Sequence, residues 1–117
     1  MPTSLPPCPD SPNCVSTQAN QPDKKREPIP YTSDRETTLG RIKRVVSALP
    51  RTELVVEEAN YLHFTFRTWP IPYTDDVEFL LDDAAKLIHY RSASRKGYHD
   101  LGVNGRRMAR IAAQLAE

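Results

Sequence analysis

The chain is 117 residues long, carries a formal net charge of +1, and is 26% charged and 38% hydrophobic. That length suits one domain with a core of its own, needing neither metal nor disulfide merely to fold. The small net charge argues against a strongly basic nucleic-acid surface, and no run of about 18 apolar residues offers a membrane span.

The N-terminus lacks a basic start followed by an apolar stretch, so with Met1 as the natural start the expected compartment is the cytoplasm. Residues 1 to 32 hold eight of the eleven prolines. Proline fixes φ and removes a donor, so this zone reads as an extended Pro-rich arm preceding a single α+β domain over 33–117. Ile29-Pro30-Tyr31 is placed to lay apolar groups back on that domain. Cys8 and Cys14 have five residues between them in CPDSPNC. The spacing leaves three readings open: a small-loop disulfide or redox pair, half a zinc site, or two free thiols.

Helix one is expected from Ser33, with Ser33 and Glu36 at capping-box spacing and Pro50 stopping it near Leu49. Leu39, Ile42, Val45, Val46 and Leu49 make its apolar stripe. Four strands follow. Thr52 to Glu57 places Leu54 and Val56 on one face, and Tyr61 to Thr68 places Leu62, Phe64 and Phe66 inward. A three-residue loop over 58–60 sets Val56 opposite Leu62 and Leu54 opposite Phe64. In Trp69-Pro-Ile-Pro-Tyr73 the prolines forbid a central strand, and Trp69 or Ile71 is expected on a core edge. Strand three, ending at Asp82, turns Val77, Phe79 and Leu81 inward. Strand four, Ala85 to Ser92, turns Ile88 and Tyr90 inward. A tight turn at Asp83-Ala84 would set Glu78 opposite His89 and Asp76 opposite Arg91.

Helix two is expected with Asn104 as N-cap and Met108, Ile111, Ala112 and Leu115 as its stripe. Arginines in a first turn oppose the helix dipole, so Arg106 or Arg107 should have another partner. The sum is a two-layer α+β sandwich: helix, four-stranded antiparallel meander, helix, with the far sheet face open and polar.

That open face would gather His63, Arg67, Asp76, Glu78, His89 and Arg91, either as a solvated set of charge pairs or as acid–base or metal-binding groups. Ser92, Ser94 and Arg95, followed by a helix N-terminus, are the groups an anion needs. The competing reading has Arg95, Asp100 and Asn104 pinning the loop to itself. Tyr98 is read as packing. Nucleotide-loop and nucleophile-elbow signatures are absent.

The blocks CPDSPNCVS, TDDVEFLLDD and RSASRKGYHDLGVNGRR resemble the domain-of-unknown-function family numbered fourteen ninety-nine, over nearly the whole chain. The resemblance falls on Cys8, Pro9, Ser11, Pro12, Asn13 and Cys14; on Asp75, Asp76 and Glu78; and on Arg91, Ser92, Ser94, Arg95, Gly97, Asp100, Gly102 and Asn104. Gly105 departs from the pattern and would loosen the start of helix two. The resemblance implies no settled activity, but it implies a shared site, with the Cys-containing segment folded back on it.

The leading expectation is a non-catalytic binding or accessory module, a monomer or weak dimer. Its ligand would be a small anion or a protein partner held by Asp76, Glu78, Arg91, Ser92, Ser94, Arg95, Asp100 and Asn104. The alternatives are an enzyme or metal site on His63 or His89 with Glu78 or Asp76, and a redox pair at Cys8 and Cys14. No cofactor, metal or nucleic-acid partner is assigned.

Overall fold

The computed structural model describes residues 3–97 and 100–117; the expectation that Tyr98 packs lies outside them, as does His99. The elements run β1 (Cys14–Ser16), β2 (Ile29–Pro30), α1 (Arg35–Ser47), β3 (Thr52–Glu58), β4 (Tyr61–Arg67), β5 (Thr74–Asp82), β6 (Leu87–Ser94) and α2 (Val103–Leu115). The strands make one antiparallel sheet in the order β1-β6-β5-β4-β3, with β2 also pairing β6, and both helices pack on one face of it.

The period-2 pattern of β4 and β5 puts Leu62, Phe64, Phe66, Val77, Phe79 and Leu81 on one face. There they pack with Leu39, Ile42 and Val46 of α1 and Met108, Ile111 and Leu115 of α2. This core follows the expected stripes on both helices. Ile29 and Tyr31 join it.

Several expectations are corrected. The sheet has six strands where four were expected, because two short stretches of the first 32 residues pair with β6. Thr17 fills the interval between them: its amide donates to the Tyr90 carbonyl, and its hydroxyl accepts from the Tyr90 amide. A Cys8–Cys14 disulfide, with Cα atoms 5.8 Å apart, ties the approach to β1.

The β3–β4 turn holds two residues, since Glu58 opposes Tyr61, and Val56 therefore faces His63. A bulge at Val55 absorbs one residue and restores Leu54 opposite Phe64. Val56 thus joins Leu5, Tyr61 and Leu80 on the far face. The β5–β6 turn is longer than expected: Asp82 opposes Leu87, with Lys86 at φ +58°. Glu78 consequently opposes Arg91, and Asp76 opposes Ala93. The slip is two residues, so each side chain stays on its expected face.

Both helix caps also differ. Asp34, not Ser33, caps α1 by accepting from the Thr37 amide at 2.7 Å. At α2 the N-cap position is Gly102 at φ +77°, and Asn104 lies inside the first turn, fully buried. Gly105 does not prevent the helix from forming there; its Cα faces the Arg26 guanidinium across β1. Trp69 and Ile71, expected on a core edge, are instead exposed.

Candidate functional site

The parity of β5 and β6 divides the expected eight-residue site between the two faces of the sheet. Ser92 and Ser94 face α2, with Asp100 and Asn104 above them. Asp76, Glu78, Arg91 and Arg95 meet on the other face.

On the helix side Asn104 is the hub. Its Oδ1 accepts from Ser92 Oγ at 2.6 Å and Arg107 Nη1 at 2.8 Å. Its Nδ2 donates to Asp100 Oδ2 at 2.8 Å, Ser94 Oγ at 2.9 Å and the Asn13 carbonyl at 3.2 Å. Asp100 accepts from the Gly102 and Asn104 amides, capping α2 with a carboxylate. Burial alone would raise the Asp100 carboxyl, but these hydrogen bonds outweigh it and hold it below its ordinary value.

Three residues outside the expected site complete this network, Asp75 and Arg107 first. Asp75 is 2% exposed and accepts from Arg107 Nη2 at 2.6 Å. The Arg107 guanidinium also lies 4.7 Å from the Phe66 ring centre. The sequence carried a signal for both. Asp75 shares parity with Val77, so it had to turn toward the core, and an arginine in a first helical turn needed a partner. Asn13, the third addition, donates from Nδ2 to the Gly97 carbonyl at 2.6 Å.

On the far face Asp76 takes a bidentate fork from Arg95, at 2.8 and 2.9 Å, and a contact from His63 Nε2 at 2.8 Å. Burial alone would raise its pKa; the Arg95 and His63 contacts outweigh burial and lower it. Glu78 is buried between Arg91 and the Tyr61 hydroxyl. Burial, and then the Glu78 carboxylate, push the Tyr61 phenol well above its ordinary range. His89 is held away from both carboxylates, 2.9 Å from Thr17 Oγ1.

This face was expected to be open. It is covered by the N-terminal segment: Leu5 packs on Tyr61 and Leu80, Cys8 and Cys14 pack on Ala19 and Ala93, and the Pro7 carbonyl accepts from Arg91. The Cys-containing segment does fold back on the residues that the resemblance singled out. Among the described residues, no three His, Cys, Asp or Glu side chains gather as metal ligands.

Two adjoining clefts lie at the end of the sheet where β3 and β5 begin and β4 and β6 finish. A cleft of about 370 Å³ runs between the α1–β3 turn and α2, lined by Arg51, Arg67, Arg106, Arg107 and Arg110 with Phe66 and Trp69, and by no carboxylate. Among the described residues, Arg107 is the one arginine of these five with an ion-pair partner. A second cleft of about 300 Å³ shares Thr68, Trp69 and Val103 with it. Ile71, Tyr73 and Leu101 wall this second cleft, and Asp75, Ser94 and Asp100 lie at its polar side. The buried network is thus the floor under an exposed basic and apolar surface.

The fold and this arrangement define a small α+β domain in which the three sequence blocks are knitted together through Asn13, Asp75 and Asn104. The chain belongs to the family described as "Protein of unknown function (DUF1499)", whose model matches residues 4–115. No curated protein and no solved structure matches it. Among the described residues no helix is long and apolar enough to cross a membrane.

Proposed function

We propose that the protein is a non-catalytic binding module that takes an anionic group in the arginine cleft beside α2. The cleft itself carries this reading: five lining arginines, no lining carboxylate, and Arg107 alone among them ion-paired within the described residues. Guanidinium groups are the side chains best matched to phosphate and carboxylate oxygens. The sequence reading holds the anion with Asp76, Glu78, Arg91, Ser92, Ser94, Arg95, Asp100 and Asn104. The geometry favours the cleft instead, because Arg91 and Arg95 are already bonded to Glu78 and Asp76, and Asn104 has its amide filled from within.

The disulfide sits in a buried cluster with Ala19 and Ala93. That setting suits a staple better than an exchanging redox pair, which needs an accessible sulfur.

Titration of the labelled protein with inorganic phosphate, followed by amide and arginine side-chain NMR shifts, tests the reading. Shifts should centre on Arg51, Arg106, Arg107 and Arg110, and Arg106→Gln with Arg110→Gln should weaken binding by about tenfold or more. Shifts centred on Arg91 and Arg95, or none at all, would reject the cleft.

A further inference from the structure

We infer that the end of the molecule bearing the two clefts docks on the surface of an anionic lipid bilayer. The inference rests on the arginine cleft of the preceding section and adds the apolar tips beside it. Of the five large hydrophobic residues exposed among the described residues, four lie at this one end. They are Trp69, Ile71 and Tyr73 on one loop and Leu101 on the next; Trp69 is 75% and Leu101 85% exposed. The fifth, Val55, is the bulge residue in the middle of β3.

These tips are held in place. Thr68 closes the first loop on itself: its hydroxyl donates to the Ile71 carbonyl, its amide donates to the Tyr73 carbonyl at 2.9 Å, and its Oγ accepts from the Tyr73 amide at 2.9 Å. The second loop is anchored at Asp100 through the Gly102 and Asn104 amides. Thr68 and Asp100 thus hold three apolar side chains of one loop and Leu101 of the next beside the arginine cleft.

That combination fits the bilayer interface. Trp and Tyr rings settle at headgroup depth, Leu and Ile reach the acyl boundary, and arginines meet the phosphates. The charge is local: the whole chain is +1, while the arginine cleft has no lining carboxylate. Attraction of a cationic patch to anionic lipid contributes about 1 kcal/mol per basic residue and needs no large net charge.

Trp69 is the single tryptophan of the chain, so intrinsic fluorescence reports on this end alone. The experiment uses the full chain with vesicles of phosphatidylcholine, or of phosphatidylcholine with phosphatidylglycerol in equal parts, read by sedimentation and by Trp69 emission. Expected is co-sedimentation with the anionic vesicles alone, a shift of emission to shorter wavelength, and release by high salt. Arg51→Gln with Arg110→Gln should weaken binding roughly thirtyfold. Trp69→Ser with Leu101→Ser should abolish it, with the far-ultraviolet dichroism unchanged. Val55→Ser, away from the patch, should bind as the parent does.

Equal binding to both vesicle types, or loss of binding in the Val55 variant, overturns the inference. So does failure to bind anionic vesicles. If inorganic phosphate still shifts the cleft arginines in that case, the anion site stands and only the bilayer is rejected. A shift of Trp69 emission with poly-glutamate but not with vesicles overturns it in favour of an acidic protein partner.

Discussion

Asp75 and Asp76 are adjacent in the chain and point to opposite faces of β5, each to an arginine. Asp75 and Arg107 are 2% and 11% exposed, whereas Arg95, the partner of Asp76, is 53% exposed. A charge left unpaired in the interior cannot recover its hydration, while an exposed one can. Asp75→Asn should therefore cost about 3 kcal/mol in urea unfolding, and Arg95→Gln less than about 1 kcal/mol. Equal costs would mean that the Arg107 pair is wetter than its burial shows. Much of this was legible from residue type and parity. Alternation along β5 put Asp75 inward, and the helix dipole flagged Arg106 or Arg107, of which Arg107 holds the carboxylate. The same alternation assigns Arg91 and Ser92, neighbours in one polar block, to opposite faces. Grouping the block as one site merged two networks that the sheet separates.

At the scale of elements, stripes and alternation were legible because they depend on local period alone. α1, α2 and the inward sets of β4 and β5 follow directly from the spacing. The turn lengths were not legible. A two-residue slip at Asp83–Lys86 preserves every face, whereas the two-residue turn at Ala59–Asn60 seats Val56 opposite His63 and only the bulge at Val55 restores Leu54 opposite Phe64. Neither β1 nor β2 has a period to read, being three and two residues long. Their pairing comes from β6, more than fifty residues later, and from the disulfide. Closing so small a loop contributes about 2 kcal/mol through the unfolded chain. Cys8→Ser with Cys14→Ser should lose that much. Hydrogen exchange should rise first at Ser16 and Thr17, whose amides bond Lys24 and Tyr90, and little in β4 and β5. Uniform loss of protection across the sheet would mean instead that the N-terminal segment and the central strands open as one unit.

Taken as a whole, the molecule's stability should form a plateau bounded by groups on both sheet faces. Burial pushes the His89 imidazole below its ordinary value, against a weaker opposing pull from Asp82. Asp76 and Asp100 are lowered because their hydrogen bonds outweigh the burial that would raise them. All three groups hold protons less readily folded than unfolded, so the unfolded chain binds more protons and stability rises with pH through their range. The His89 contribution is complete above about pH 6.5 and is lost on descent from there, while the carboxylate contributions persist to about pH 4 and are lost below it. On the alkaline side burial raises the Tyr31 and Tyr61 phenols, helped by Asp83 and Glu78. Their contribution is complete below about pH 10 and is lost as pH climbs past it. Urea midpoints measured from pH 3 to 11 should trace this plateau, with a shallow acid shoulder before the steep fall. His89→Gln should remove the shoulder and leave the fall in place, whereas Asp76→Asn with Asp100→Asn should flatten the fall and leave the shoulder. A shoulder that survives His89→Gln would assign it to another group and show that the N-terminal cover over β6 admits water to that imidazole.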